Sequence, residues 1–437
     1  MSIPTLQGLQ TALSGLLAEQ QALDVTGHNI ANANTEGYSR QRAVLETNQE
    51  ISIPALSAIT GQGAQLGTGV TVETYTRVRN SYLDAQYRSQ SSGLSGASAQ
   101  ADELEQAQST LNEPSSSGIA SQLSEFWSAW NNLADNPNSE AVKQSVVAAG
   151  QRLTGALNAL SSQLSAITGQ AEGQYASRTA PGGEVAEIAK QVAQLNEQIR
   201  LAEQANQPPN DMLDRRDLLI DKLSSLAQVT VTANADGTDT IAFGDAAKPL
   251  VEGSTVNWPQ TLTAAAGGEL GGLLALTGAG GSLTGFRAEL DAVAATIASS
   301  VNGLHTATPF FTGNTAATIA VAVKASEVQS SSTEAVGGND VALAIAGLRG
   351  GAADQSYSSL VETIGNKVRS VQSEQANMQA TLTAISNQRQ SVSGVSLDEE
   401  MTNLISFQRG YQASARTLTA MDEMLEQLIE HTGRAGL

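Results

Sequence analysis

Residues 6–30 read LQGLQTALSGLLAEQQALDVTGHNI, and their apolar positions recur in steps of three and four. The members of this first stripe are Leu6, Leu9, Leu13, Leu16, Gln20, Leu23, Gly27 and Ile30. Such spacing places side chains on one face of an α-helix, and a sustained 3,4 rhythm is typical of a coiled-coil seam. The sequence therefore predicts a helix from about Pro4 to about Ile30 that packs lengthwise against another helix.

A second stripe of the same kind lies near the other end of the chain. Its members are Leu404, Phe407, Tyr411, Ser414, Leu418, Met421, Leu425 and Leu428. Ser396 and Glu399 fit the S-x-x-E capping box directly before it, which predicts a helix start there. We expect the two terminal helices to pair as a coiled coil within one subunit.

The apolar stripe residues are also expected to contact neighbouring subunits. The predicted subunit-packing residues are Leu6, Leu9, Leu13, Leu16, Leu23, Ile30, Leu404, Phe407, Tyr411, Leu418, Met421, Leu425 and Leu428. Burying a large apolar side chain contributes about 2 kcal/mol, whereas ordering the backbone of each residue costs roughly 1–2 kcal/mol. A lone stripe of this density gains little by folding, so we expect both ends to be poorly ordered in a free monomer and to fold on assembly.

Composition limits the classes of function. The chain has 437 residues and a formal charge of −20, and it shows no cluster of Lys and Arg, so neither nucleic acid nor an anionic membrane surface is an expected partner. It has no cysteine, which excludes disulfides and thiolate chemistry. The first basic residue is Arg40, so residues 1–30 lack the positive n-region of a cleavable signal peptide.

The middle of the chain predicts a mainly α fold with a small β-rich insertion. Helical patterns cover about 80–112, 119–133, 139–167, 172–205, 211–227, 283–304, 339–347 and 355–391. Asp236-Gly237 between alternating apolar runs predicts a hairpin within 229–268.

We expect three domains from this pattern. Residues 1–37 and 395–437 form a terminal coiled-coil domain, residues 38–228 and 269–394 form a helical bundle, and residues 229–268 form a β-rich outer domain. Part of 308–335, where 318–323 reads as a strand, is a further candidate for the outer domain.

No residue pattern predicts chemistry. His28, His305 and His431 stand apart from one another, and no metal-binding or nucleophile motif accompanies them. Four carboxylates, Asp211, Asp214, Asp217 and Asp221, share a predicted helix with Arg215 and Arg216. Such carboxylates could hold a cation, but a solvated face with ion pairs inside the helix is the expected arrangement. We therefore predict no enzyme activity, no cofactor and no metal site.

Several motifs resemble those of bacterial flagellar axial proteins. Residues 12–16 (ALSGL) and 29–38 (NIANANTEGY) resemble the N-terminus that rod, hook and hook-associated proteins share. Residues 37–41 (GYSRQ), 213–219 (LDRRDLL), 393–400 (SGVSLDEE) and 407–413 (FQRGYQA) are similar to the hook-associated family that forms the hook–filament junction.

The resemblance implies a structural protein that forms a ring of its own copies at the hook tip. Its other implied partners are the hook protein, the second hook–filament junction protein and a cytoplasmic export chaperone at the C-terminal region. The implied location is extracellular, at the hook–filament junction, after unfolded type III export without a cleavable signal peptide. Asn32, Asn34, Gly37 and Tyr38 would form the joint between the inner and middle domains.

Two alternatives remain open on the sequence. A hook or rod subunit shares the terminal motifs, and self-polymerisation into long tubes would favour it. A hydrolase carried on a flagellar-type terminus would need a constellation of catalytic residues, which the sequence does not contain.

Overall fold

A computed structural model describes residues 4–53, 64–333 and 337–432. The helices are α1 Pro4–Asn32, α2 Ser81–Leu111, α3 Ile119–Asp135, α4 Glu140–Thr179, α5 Glu184–Gln204, α6 Asn210–Leu226, α7 Gly268–Thr277, α8 Ser282–Leu304, α9 Asp340–Ala346, α10 Ala352–Ser393 and α11 Leu397–Thr432. The strands are β1 Gln41–Thr47, β2 Ile51–Ile53, β3 Ala64–Leu66, β4 Val70–Arg77, β5 Val229–Ala233, β6 Asp239–Phe243, β7 Asp245–Glu252, β8 Thr255–Val256, β9 Phe311–Thr312 and β10 Ala320–Val321. The prediction of a mainly α fold with a small β portion is confirmed.

The two ends of the chain pair with each other. α1 and α11 run antiparallel and make the most extensive contact between any two elements of the described chain. Gly8 lies against Met421 and Gly15 against Ser414, so seven residues along α1 correspond to seven residues back along α11. The predicted coiled coil of the terminal helices is therefore formed within one subunit.

A β-hairpin lies along one side of α1. β1 pairs with β4 antiparallel, and β2 pairs with β3 further along the same hairpin. The Ser14 hydroxyl accepts a hydrogen bond from the Val70 N–H at 3.3 Å, and Gly69 sits directly over Ser14 and Thr11.

A first hydrophobic core holds the helical body together. It is built from α2, α3, α4, α8, α9 and α10, with Phe126, Trp127 and Trp130 fully buried. The predicted break between two helices near 168–171 is wrong, because α4 continues to Thr179 and the chain turns at 180–183. Pro181, Gly182 and Gly183 supply that turn, whereas Gly169 and Gly173 are tolerated within the long helix.

A second core joins the small sheet to two helices. β5, β6, β7 and β8 form one antiparallel sheet in that order, which packs on α5 and α6. The hairpin predicted around Asp236-Gly237 is confirmed by the antiparallel pairing of β5 with β6, and Gly237 adopts φ +80°. Phe310 and Phe311 from the 308–335 segment lie in the first core, so this segment packs on the helical body rather than on the sheet.

α7 was not predicted, because its sequence GELGGLLALT is rich in glycine. Its glycines permit a close helix crossing: a Cβ on Gly272 would lie 2.4 Å from the Gly96 carbonyl oxygen of α2. Among the helices of the described ranges, none is long and apolar enough to cross a membrane.

Candidate functional site

The face of α1 that packs on α11 consists of small residues. Ala12 and Ala22 are buried on this side of α1, and Gly8 and Gly15 lie directly against Met421 and Ser414 of α11. Small side chains let two helix backbones come close together, so the contact depends on packing against alanine and glycine rather than on interlocked leucines. The sequence shows this pattern as Gly8, Gly15 and Ala22, seven residues apart.

The predicted leucine stripe of α1 lies beside this face. Leu9, Leu16, Leu23 and Ile30 are half-buried, and Leu13 is 42% exposed. The contact with α11 therefore leaves part of the surface of these predicted subunit-packing side chains accessible to another molecule.

The predicted stripe of α11 faces α1. Its half-buried members are Leu404, Phe407, Tyr411, Leu418, Met421 and Leu425. The predicted residues Leu6 and Leu428 have side chains outside the described residues.

Asn29 connects four elements where the helix pair meets the body. Its Nδ2 donates to the Gln41 carbonyl at 2.9 Å and to Glu400 Oε2 at 3.1 Å. Its Oδ1 accepts from the Tyr38 hydroxyl at 2.7 Å and from the Gln41 N–H at 2.9 Å. This buried amide uses both its donor and acceptor groups, so it fixes α1, the following loop, β1 and α11 in one geometry.

Arg40 adds a second link between the loop and α11. Its guanidinium contacts Glu399 Oε2 at 2.6 Å and Glu400 Oε1 at 2.8 Å. Its N–H donates to the Ser393 carbonyl at 2.9 Å, at the end of α10. Glu399 therefore pairs with Arg40, while the Ser396 hydroxyl accepts a long bond of 3.5 Å from the Glu399 N–H at the start of α11.

The four predicted joint residues lie together at the end of α1 and in the turn that follows it. Asn32 caps the last turn through a bond from its Nδ2 to the His28 carbonyl, and Asn34 is exposed. Gly37 has φ +79°, and a Cβ there would lie 3.2 Å from the Leu218 Cβ of α6. Burial, followed by the nearby carboxylates of Asp211 and Asp214, raises the pKa of the Tyr38 phenol, so Tyr38 acts as the neutral donor to Asn29.

A buried cluster of four arginines and four aspartates lies beneath the joint. Its members are Arg77, Arg79, Arg88, Arg389, Asp84, Asp214, Asp217 and Asp221. They come from β4 and its following turn, α2, α6 and α10, and their side chains are at most 20% exposed. The expectation of a solvated face with ion pairs inside one helix is therefore wrong for Asp214, Asp217 and Asp221. Sequence alone could not show which arginines would reach them.

The loop is attached to this cluster directly. The Ser39 N–H donates to Asp214 Oδ2 at 2.9 Å, and Arg77 contacts Asp214 and Asp217 at 2.8 Å each. Burial alone would raise the pKa of Asp217, but Arg79, Arg77 and Arg88 outweigh it and hold that pKa below its ordinary value. The carboxylates of the cluster thus have arginine partners and need no metal ion for charge balance.

Arg216 takes part in a separate pair and Arg215 in none of these contacts. Arg216 lies 2.9 Å from Asp239 of the sheet and donates to Asn196 of α5. Asp211 is exposed, and His28 lies 3.6 Å from it. In the described ranges, no group of three or more His, Asp or Glu side chains is arranged to hold a metal ion.

The remaining histidines have structural surroundings. His305 is fully buried in the first core, where its Nε2 accepts from the Gln329 N–H at 2.8 Å. Desolvation lowers the pKa of His305, so the ring is neutral in its buried position. The side chain of His431 lies outside the described residues.

Three family comparisons cover different parts of the chain. Residues 104–266 match the helical domain of the flagellar hook-associated protein FlgK. Residues 9–38 match the flagella basal body rod protein family, and residues 386–430 match the C-terminal region of the basal body rod FlgEFG proteins. The rod-type matches are thus confined to the regions of the paired helices and the joint.

Full-length relatives identify the family. The chain is 30% identical to flagellar hook-associated protein 1 of Bacillus subtilis (strain 168), over 99% of each chain. It is 26% identical to flagellar hook-associated protein 1 of Escherichia coli (strain K12), over 96% of this chain and 99% of that one. A solved structure, that of the flagellar hook junction protein FlgK from Burkholderia pseudomallei, matches with a TM-score of 0.45 and 26% identity over 51% of this chain and 43% of that chain. The chain belongs to the flagellar hook-associated protein 1 (FlgK) family.

Proposed function

We propose that this protein is a non-enzymatic adaptor that joins the flagellar hook to the filament as a ring of identical subunits. The observation that carries the proposal is the antiparallel pair of the chain's two ends, which leaves one apolar side only half-buried. We call this side the leucine flank and define it as Leu9, Leu16, Leu23 and Ile30 of α1.

The leucine flank and the hairpin lie on opposite sides of α1. Ser14, which contacts the hairpin, and Leu16 are two residues apart, about 200° around the helix. An apolar row that its own chain covers only in part is typical of an assembly surface. Contacts between neighbouring copies would bury it.

The terminal helices are proposed to order when the subunit docks. The α1 face that meets α11 is made of alanine and glycine, which bury little apolar area per residue. The larger apolar side chains of α1 are half-exposed in the single chain, so much of their burial awaits a neighbour.

The joint would set the angle between the helix pair and the body. We propose the domain division 1–37 with 395–437, 38–228 with 269–394, and 229–268. Asn32, Asn34, Gly37 and Tyr38 then lie at the boundary of the first two domains. The Asn29 and Arg40 bonds would pass load from the inner helices to the helical body.

The proposed partners follow from family membership. They are copies of this chain, the hook protein, the second hook–filament junction protein and a cytoplasmic chaperone at the C-terminal region. The proposed location is the extracellular hook–filament junction, reached by type III export without a cleavable signal peptide. A chain without cysteine suits unfolded export, because it cannot cross-link on the way.

The test introduces charge into the α11 face that packs on α1. Leu418→Asp with Leu425→Asp should abolish filament attachment, because two carboxylates would enter an apolar contact. Melting of the helical body should be unchanged. Gln412→Asp with Thr419→Asp provides a matched control, since these positions are also seven residues apart but exposed. Normal motility of the Leu418/Leu425 variant would refute the proposal.

A further inference from the structure

The leucine flank needs a complementary surface on the next copy. In a ring, neighbouring subunits meet through two different patches of the same chain, so each copy must present both. The hairpin is a natural candidate for the second patch, because it covers the opposite side of α1 and therefore stands at the other edge of the helix pair.

The hairpin carries an exposed apolar side chain. Leu45 of β1 is 48% exposed. Strict alternation would place it on the same face as the buried Gln41, but the pairing of β1 with β4 shifts register between Val44 and Leu45. Such a bulge bends and twists a hairpin and redirects the side chains beside it. The distortion leaves Leu45 open to solvent.

Leu45 stands at the height of the leucine flank. Thr47 pairs with Val70, whose N–H bonds to Ser14, and Gln41 bonds to Asn29. β1 therefore runs antiparallel to α1. Thr47 is level with Ser14, and Leu45 lies two residues further along β1, a distance of about 6.6 Å. The same distance along α1 spans about four residues. Leu45 is thus level with residue 18, between Leu16 and Leu23.

Charge complementarity supports the same arrangement. Arg42 of β1 is exposed and makes no ion pair within the described part of the chain. Counted from Gln41, which bonds to Asn29, Arg42 is level with about residue 27 of α1, within about one helical turn of Asp24. Asp24 is exposed and likewise lacks an ion-pair partner among the residues described.

We propose that the hairpin of one copy docks on the leucine flank of the next, with Leu45 between Leu16 and Leu23 and Arg42 near Asp24. This inference rests on the proposed ring. If the ring axis runs along the helix pair, residues that are level within one copy are also level with the same residues of the next copy. It assigns an assembly role to the hairpin, which makes the terminal helices only one half of the subunit contact.

Disulfide cross-linking of the full chain tests the proposal, because the protein has no cysteine of its own. Two variants, Leu45→Cys with Leu16→Cys and Leu45→Cys with Leu23→Cys, would replace the wild type in flagellated cells. Oxidised flagella should yield covalent dimers and a ladder of higher species, whereas the soluble monomer should not. Leu45→Cys with Gln21→Cys is the control, because Gln21 is exposed on the side of α1 that faces the chain's own hairpin, seven residues from Ser14, and should give no ladder between copies.

A ladder with either of the first two pairs supports the docking, and its absence from both in flagella that keep their filaments overturns it. That outcome does not contradict the proposed function. The proposed function would be contradicted instead if the wild-type chain were absent from the hook–filament junction.

A charge-reversal experiment tests the Arg42–Asp24 contact independently. Arg42→Glu and Asp24→Arg should each reduce filament attachment, and the double variant should restore it. Normal attachment of both single variants would contradict the Arg42–Asp24 contact.

Discussion

Asn29 is the side chain whose loss the joint should tolerate least. Asn29→Ala would leave the buried Glu400 carboxylate and the Tyr38 hydroxyl without one partner each. Each unsatisfied buried group costs about 1–3 kcal/mol. We expect a lower free energy of unfolding in urea for the Asn29 variant and no change for the control Asn34→Ala, whose side chain is exposed. Equal stability of the two variants would contradict the role given to Asn29.

Gly37 is required by its backbone conformation and by its neighbour. Alanine at φ +79° is strained by roughly 1–2 kcal/mol, and its Cβ would lie 3.2 Å from the Leu218 Cβ. Gly37→Ala should therefore lower the melting temperature. Gly27→Ala should raise it slightly, because Gly27 is helical, exposed and has nothing within 4 Å of its Cβ position. An unchanged melting temperature for Gly37→Ala would show that the turn can rearrange.

The helices around the arginine–aspartate cluster should separate in acid. Because the folded pKa of Asp217 is lowered, its contribution is complete above its unfolded pKa of about 3.9 and is lost as the pH falls through the folded value. Asp217→Asn should destabilise the body by about 3–5 kcal/mol at pH 7, because buried arginines lose a partner. It should also weaken the dependence of stability on pH below 4. Urea denaturation at pH 7 and pH 3 measures both effects.

Asp102→Asn is the control for this experiment, since Asp102 is an exposed carboxylate on α2. It should leave stability unchanged at both pH values. A cluster variant that behaves like Asp102→Asn would contradict the view that these ion pairs hold the body together.

In the free monomer, the terminal helices should be ordered only in the turns next to the joint. In the free monomer we expect rapid amide exchange over residues 5–30 and 404–428, apart from the turns next to the joint, and slow exchange over α2. In intact flagella both terminal segments should be protected. Strong protection of both in the monomer, measured by hydrogen exchange with mass spectrometry, would refute folding on assembly.

The sequence predicted where the terminal helices occur better than it predicted which side chains make their contacts. The 3,4 spacing predicted α1 and α11, and the Asp236-Gly237 turn predicted a hairpin, because both signals are local. The face that α1 turns to α11 was not predicted, since alanine and glycine give a weaker periodic signal than leucine. The long-range partners of Asp214 and Asp217 were equally inaccessible, because the arginines come from distant β4 and α2.

Across the molecule, a helical body with two cores supports a pair of helices made from the chain's own ends. The body gains its stability from buried aromatic and aliphatic side chains, whereas the helix pair leaves apolar side chains partly exposed. The joint between them is fixed by hydrogen bonds and ion pairs. This division of properties suits the role we propose, in which the subunit travels singly and becomes rigid in a ring.

Immunogold labelling of intact flagella with antibody against the helical body tests the central claim most directly. The account predicts one narrow band of label between hook and filament on each flagellum. Label distributed along the hook or the rod would contradict it.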